Sequence, residues 1–202
     1  SLDAFMGQVE TIVHGTTVTT NATLTRTGAK SGLITTQGVR DALEMRRGLR
    51  EEQYNHRYTN VKPLVPRYLR AGVAGRLDRN GDEVEALSLE DVRAAIALFK
   101  REEVKAVSIC FMNAFANPEH ERAAAELVRA EMPDAYLTVS TDLPPSIRLY
   151  ERVSTTALNS YVGPILDHYL NQPLVRPTAA GVGRLLLIPQ LNAAAMSPDV
   201  RR

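Results

Sequence analysis

Short apolar runs alternate along this chain with segments of helical period, the pattern of strands interleaved with helices. Thr11-Ile12-Val13 is a β-branched run ending at Gly15 and predicts a buried strand. A Thr-rich stretch from Thr16 to Thr27 follows and is closed by Gly28. Lys30 to Thr36 predicts a second strand, with Gly38 after it. Val39 to Arg47 carries apolar residues at Val39, Ala42, Leu43 and Met45, which predicts a helix stopped at Gly48.

The period then disappears. Glu51 to Arg70 is rich in charge, Tyr and Pro and reads as a long irregular excursion, a kind of segment that is uncommon unless it is functional or an interface. Between Val73 and Leu87, Asn80-Gly81 divides two short apolar stretches and predicts a hairpin, because both central positions of a type I′ turn need positive φ. Ser88-Leu89-Glu90-Asp91 has capping-box character, and Leu89, Val92, Ile96 and Phe99 fall on one helical face. Val104 to Phe111 is nearly continuously apolar and predicts a central parallel strand.

Asn117-Pro118 marks a helix start, and that helix runs to about Met132. Ala135 to Ser140 predicts another strand. A long helix is expected from near Ser146 to about Tyr169, with Val153, Ala157 and Tyr161 on one face and Pro164 kinking or ending it. Past the breakers Pro173, Pro177, Gly181 and Gly183, the run Leu185 to Ile188 predicts a further strand, one that opens a following domain. The alternation points to an α/β protein with a largely parallel or mixed sheet, without internal repeats.

Composition narrows the function classes. The 202 residues are 44% hydrophobic and 23% charged, as expected of a globular core. The 24 basic and 23 acidic residues leave a net charge of +1, which argues against a dedicated nucleic-acid binder. No apolar run is long enough to span a membrane. A single cysteine, Cys110, allows no intrachain disulfide, so a cytoplasmic setting is expected.

Candidate chemistry concentrates in two places. In the first, His14-Gly15-Thr16-Thr17-Val18-Thr19-Thr20-Asn21-Ala22, a strand ends and a helix can begin. Gly15 permits close backbone approach, and Thr16, Thr17 and Thr20 add uncharged hydroxyl donors, which suits phosphate. A plain Gly turn with Thr capping fits the same residues, and no Walker loop is present. The second is Tyr150-Glu151-Arg152 with Ser154, Thr155 and Asn159. Arg152 suits phosphate or carboxylate, Glu151 can accept a proton, and Thr155 and Asn159 lie one turn apart. A polar helix face with internal ion pairs is the competing reading.

Three other features carry less. Arg46, Arg47 and Arg50 read as a solvated face, a subunit contact or an anion patch. Asp78 to Asp82 lacks the spacing of a calcium loop, and the histidines at 14, 56, 120 and 168 show no metal-ligand spacing, His120 being assigned to an exposed first helical turn. Cys110 reads as a small buried hydrophobe.

The stretch His14 to Ala22 resembles the H-G-T-T-x-x-T-N-A signature of the hydantoinase/oxoprolinase family. The resemblance continues through Gly32 to Asp41, Pro63 to Arg67, Arg76-Leu77-Asp78, Asn117 to Glu121, and Tyr150 to Val162, covering about residues 10 to 170. Glu44 to Tyr54 is more similar to the acetone- and acetophenone-type carboxylase branch.

The resemblance implies a partial actin-like ATPase (ribonuclease H-like) subdomain: a mixed sheet flanked by helices, related to sugar kinases. It implies ATP and Mg²⁺ as cofactors and phosphorylation of a carbonyl or enolate oxygen of a small amide or ketone substrate. Residues 1–172 would form the N-terminal-type domain, and 173–202 a linker and the start of a core domain. His14, Gly15, Thr16, Thr17, Thr20 and Asn21 would bind the nucleotide, Glu151 and Arg152 would be catalytic, and Thr155 and Asn159 would bind substrate.

The family's opening D-x-G-G-T-F-T-D loop, with its Mg²⁺-coordinating Asp, has no counterpart here, and Gln190-Leu191-Asn192-Ala193-Ala194 stands where the family tends to read Gln-Ser-Asn-Gly-Gly. A fragment is therefore expected. It would belong to an ATP-dependent hydrolase of cyclic amides with a partner subunit in a hetero-oligomer. The alternatives are a carboxylase subunit and a truncated, non-catalytic assembly module.

Overall fold

The computed structural model describes residues 11–13, 15–48, 51–144, 147–171, 185–189 and 195–196. His14, Arg50, Ser146, the breakers from Pro173 to Gly183 and the segment Gln190–Ala194 lie outside the described residues. The chain divides into two compact units, Gly28–Pro164 and the combination of Ser1–Thr27 with Ile165–Arg202.

In the smaller unit, strand β1 (Thr11–Val13) leads into helix α1 (Val18–Leu24). The expected strand near 185 forms β8 (Leu185–Pro189). Its partners are β1, in parallel register from Thr11↔Leu185 to Val13↔Leu187, and β9 (Ala195–Met196), which is antiparallel.

The larger unit is built on four parallel strands: β2 (Ser31–Thr36), β3 (Arg70–Val73), β6 (Ala106–Cys110) and β7 (Tyr136–Val139), in the order β3-β2-β6-β7. Every residue of β2 and β6 is buried, as expected of central strands covered on both faces. Helix α3 (Leu89–Arg101) packs Val92, Ala95, Ile96 and Phe99 inward, while Leu89 is exposed. Ser88 caps α3 by accepting a hydrogen bond from the Asp91 amide at 3.2 Å. The Asp91 carboxylate does not complete the box; it accepts from the Ala74 amide at 3.0 Å and ties the helix start to the chain leaving β3.

Two expectations are corrected, and at Pro164 one of two alternatives, the helix ending there, is excluded. The helix expected over 39–47 is only α2 (Ala42–Met45), because Arg46 at φ 54° turns the chain out before Gly48. The hairpin forms as β4 (Arg76–Leu77) and β5 (Glu83–Glu85), but only Gly81 takes positive φ. A wider loop closes on the Asp78 carboxylate, which accepts from the Asn80 and Asp82 amides at 2.7 and 2.9 Å. Helix α5 (Leu149–Leu170) continues past Pro164. The residue before a proline is normally forced out of the helical region partly by its own Cβ, and here that residue is Gly163, which has none. A Cβ there would also meet the Tyr136 ring at 2.3 Å.

The irregular excursion is held at its far end by arginines. Arg67 grips Asp41 with two bonds of 2.9 and 3.0 Å, and this guanidinium holds the Asp41 carboxyl below its usual range. Arg70 is buried and donates to the Val65 carbonyl at 3.0 Å and to Glu44 at 3.0 Å. Removing Arg67 breaks an exposed pair, a change of about 0–1 kcal/mol. Arg70→Ala is therefore expected to lower the urea midpoint more than Arg67→Ala, because it also orphans a buried carbonyl.

Gly32 lies in the middle of β2, where a Cβ would come within 2.6 Å of the Phe99 ring. Gly32→Ala is expected to cost about 1–3 kcal/mol by overpacking. Adding Phe99→Leu should recover part of it, which a double-mutant cycle from denaturant unfolding would measure.

Candidate functional site

Ligand crevices of parallel α/β sheets lie beyond the C-terminal ends of the strands. In the larger unit that edge is where the chain leaves β6 at Phe111 and β7 at Ser140, and the first turn of α5 carries Glu151 and Arg152. The backbone there has left the ladder, so its polar groups need other partners. Side chains supply them. Thr35 Oγ1 donates to the Cys110 carbonyl at 2.7 Å, and Thr36 Oγ1 accepts from the Met112 amide at 3.0 Å. The Phe111 amide donates to Glu121 Oε1 at 2.8 Å, and the Phe111 carbonyl accepts from Arg152 Nη2.

Glu121 is fully buried in helix α4 (Glu119–Glu131). Besides the Phe111 amide it accepts from Ser140 Oγ at 2.6 Å and from the Thr141 amide at 3.0 Å. Burial pushes its carboxyl above the usual range, outweighing the hydrogen bonds and the nearby Arg152 charge that pull it down. Cys110 has its thiol pushed up to about 11 by burial, which leaves it inert as a nucleophile at neutral pH.

Arg152 is 4% exposed. Its guanidinium carbon lies 5.7 Å from the Phe115 ring centroid, within cation–π range. Among the described residues, neither Nε nor Nη1 has a hydrogen-bond partner. A buried donor without an acceptor costs about 1–3 kcal/mol, more when charged. Glu151 receives the Arg47 guanidinium, which holds its carboxyl below the usual range. It is thus ionised at neutral pH and a weak base. Thr155 is exposed and its hydroxyl donates back to the Glu151 carbonyl at 2.9 Å. Asn159 Nδ2 donates to Thr138 Oγ1 at 3.1 Å. These four residues share one helix.

The other predicted group belongs to the smaller unit. Gly15, Thr17, Thr20 and Asn21 are exposed and Thr16 is half-buried; His14 lies outside the described residues. Thr16 Oγ1 accepts from the Val18 amide at 3.3 Å, and Asn21 Nδ2 donates to Thr17 Oγ1 at 3.4 Å. Among the described residues, no three His, Cys, Asp or Glu side chains gather as a metal-ligand set, and no helix is long and apolar enough to cross a membrane.

Two polar residues differ from the sequence reading. His120 is buried, with Nε2 2.7 Å from Glu83 Oε2, where an exposed helical turn was expected. The hairpin strand β5 covers that turn. Glu121 was not singled out, yet the signal exists: it falls on one face with Ala124, Ala125 and Val128, an acid within an apolar stripe.

A carboxyl whose folded pKa is raised binds its proton more tightly folded than unfolded. Between the ordinary carboxyl range and that raised value the folded state holds more protons, so stability falls as pH rises. The lowered carboxyls Asp41, Asp78, Glu51 and Glu151 act below that window. The urea midpoint is therefore expected to decline from pH 5 upward across this window, and Glu121→Gln should flatten that decline.

Comparison with known proteins agrees with this architecture. The family model described as "Hydantoinase/oxoprolinase N-terminal region" matches residues 2–132. The caprolactamase subunit alpha of Pseudomonas jessenii is 40% identical over 164 residues, which cover 79% of this chain and 23% of that protein. The acetophenone carboxylase gamma subunit of Aromatoleum aromaticum is 30% identical over 175 residues, covering 80% of this chain and 24% of that one. The crystal structure of the ATP-dependent caprolactamase from Pseudomonas jessenii superposes with a TM-score of 0.91 at 33% identity, covering 100% of this chain and 30% of that chain. The chain thus spans about a quarter of the length of the curated relatives it matches. Motifs, parallel sheet and matched length agree: the chain belongs to the hydantoinase/oxoprolinase family, in its N-terminal region, with a partial actin-like α/β fold.

Proposed function

We propose that the chain is the N-terminal part of an ATP-dependent enzyme that opens a cyclic amide, acting in the cytoplasm with a partner subunit. The observation that carries this reading is the likeness to an ATP-dependent caprolactamase, at TM-score 0.91 over the whole chain. In that reading, residues 1–172 form the family's N-terminal domain and 173–202 lead into the next. When bound, ATP would supply its γ-phosphoryl group to the amide carbonyl oxygen with ADP leaving, and water adding at the carbonyl carbon would then release phosphate and break the ring C–N bond.

Gly15 lets the backbone approach the phosphates, and the hydroxyls of Thr16, Thr17 and Thr20 with the Asn21 amide donate to phosphate oxygens. His14 belongs to the same stretch. Mg²⁺ would ride on the phosphates, as it usually does with one or two carboxylates. The described residues offer no acidic cluster for it, so no role here is routed through it. Glu151, ionised beside Arg47, serves as a fixed negative charge and hydrogen-bond acceptor near the substrate. Arg152 stabilises negative charge, and Thr155 and Asn159 orient the amide.

A carboxylase subunit acting on a small ketone is the second reading, favoured by the likeness to the acetophenone carboxylase gamma subunit at 30% identity. The 40% identity to the caprolactamase subunit puts the amide first.

Calorimetry of ATP·Mg²⁺ with the 202-residue chain tests the nucleotide site. Micromolar binding is expected, weakened about tenfold or more in Thr17→Ala, since a hydrogen bond to a charged group contributes about 1.5–3 kcal/mol. A folded chain that binds no ATP overturns a nucleotide site within these residues.

A further inference from the structure

We propose that the Arg152 guanidinium is an oxyanion receptor at the C-terminal edge of the parallel sheet, and that Glu121 is its positioning residue. The inference deepens the reading above and rests on it for the source of the anion: a phosphoryl group in transit, or the carboxylate of a substrate or product.

The argument begins with two buried arginines. Arg70 spends Nε on the Val65 carbonyl and Nη1 on Glu44 and Asp41. Arg152 is as deeply buried, yet its oxygen acceptors among the described residues reduce to the Phe111 carbonyl, with Cys110 Sγ at 3.7 Å. Among the described residues, Nε and Nη1 are left without acceptors. A guanidinium cannot shed its proton to escape burial. The nearest buried acid does not fill the gap: both Glu121 oxygens are committed to the Phe111 amide, Ser140 and Thr141. Arg152 takes part in none of the ion pairs among the described residues, so a buried planar cation with two unpartnered nitrogens lies at the edge where parallel α/β sheets bind ligands. The cover above it is thin, because the Phe115 ring against the guanidinium is itself 38% exposed.

Glu121 acts through Phe111. It holds the Phe111 amide at 2.8 Å, and the carbonyl of the same residue holds Arg152 Nη2. Gln at this position keeps one oxygen but turns an NH₂ group toward a donor. The Phe111 carbonyl, and with it the guanidinium, would lose its fixed place.

The test is nuclear magnetic resonance of the arginine Nε–H groups in the ¹⁵N-labelled 202-residue chain, titrated separately with inorganic phosphate and with acetate at constant ionic strength. A saturable shift of the Arg152 signal, with the exposed Arg47 signal unmoved, is expected. The anion that produces it identifies the source. In Glu121→Gln the dissociation constant should rise tenfold or more, and Ser140→Ala should give a smaller rise. An Arg152 signal unmoved by both anions in a folded chain overturns the receptor. An unchanged constant in a folded Glu121→Gln chain overturns the positioning role. Calorimetry with ATP on the same sample separates the two readings: ATP binding without an anion shift removes the receptor alone, and an anion shift without ATP binding removes the nucleotide site alone.

Discussion

Two consecutive peptides at the end of β6 have left the sheet ladder without reaching water, and everything around them is arranged to satisfy them. Thr35 and Thr36 come from β2, Glu121 from α4 and Arg152 from α5, and between them they take up both carbonyls and both amides. An unpaired buried backbone group costs about as much as a lost hydrogen bond, so these four side chains are not interchangeable with apolar ones of similar size. The requirement brings two ionisable side chains, Glu121 and Arg152, into the core of the larger unit. It also fixes where α4 and α5 must start relative to the sheet.

The site follows from that arrangement. The acid is over-supplied with donors and the base under-supplied with acceptors, although they share Phe111. A buried charge is usually paired or neutralised. Among the described residues Arg152 forms no ion pair, and that imbalance is what the proposed receptor role rests on. Glu151, one residue earlier on the helix, shows the opposite condition: Arg47 saturates it and fixes it in its ionised form.

Much of the fold was legible because burial is written in period. The run around Val104–Phe111, the cap at Ser88 and the face of Val153, Ala157 and Tyr161 each followed from one local rule and met no competitor. The failures share a cause, which is a partner that the local rule leaves out, whether near or distant in sequence. Pro164 kinks or ends a helix by a local rule, and Gly163, which has no Cβ, lets this one continue. His120 looked exposed because β5, which covers it, is 37 residues away. The Asn80-Gly81 turn opened into a wider loop because Asp78 offered its carboxylate to two amides. Of the candidate site, the residue types were readable from motifs. The pairing of Glu151 with Arg47, 104 residues apart, was not. Glu121 was readable only as an acid on the apolar face of Ala124, Ala125 and Val128, and its partners at Phe111, Ser140 and Thr141 were not.

The strand order also governs how the chain is made. β2 is the second strand of the larger unit's sheet in space and the first in sequence, and it pairs with β6 across some seventy residues of chain. On a ribosome, β2 and β3 emerge with one apolar side still open, and nothing local can close it. Closing so long a loop precedes any reward from the contacts it brings, which slows folding and leaves a flat apolar edge in the growing chain. Productive collapse waits for residues 106–110. The irregular excursion and α3 lie between β2 and β6 in sequence, so the sheet's central pairing is its most non-local one.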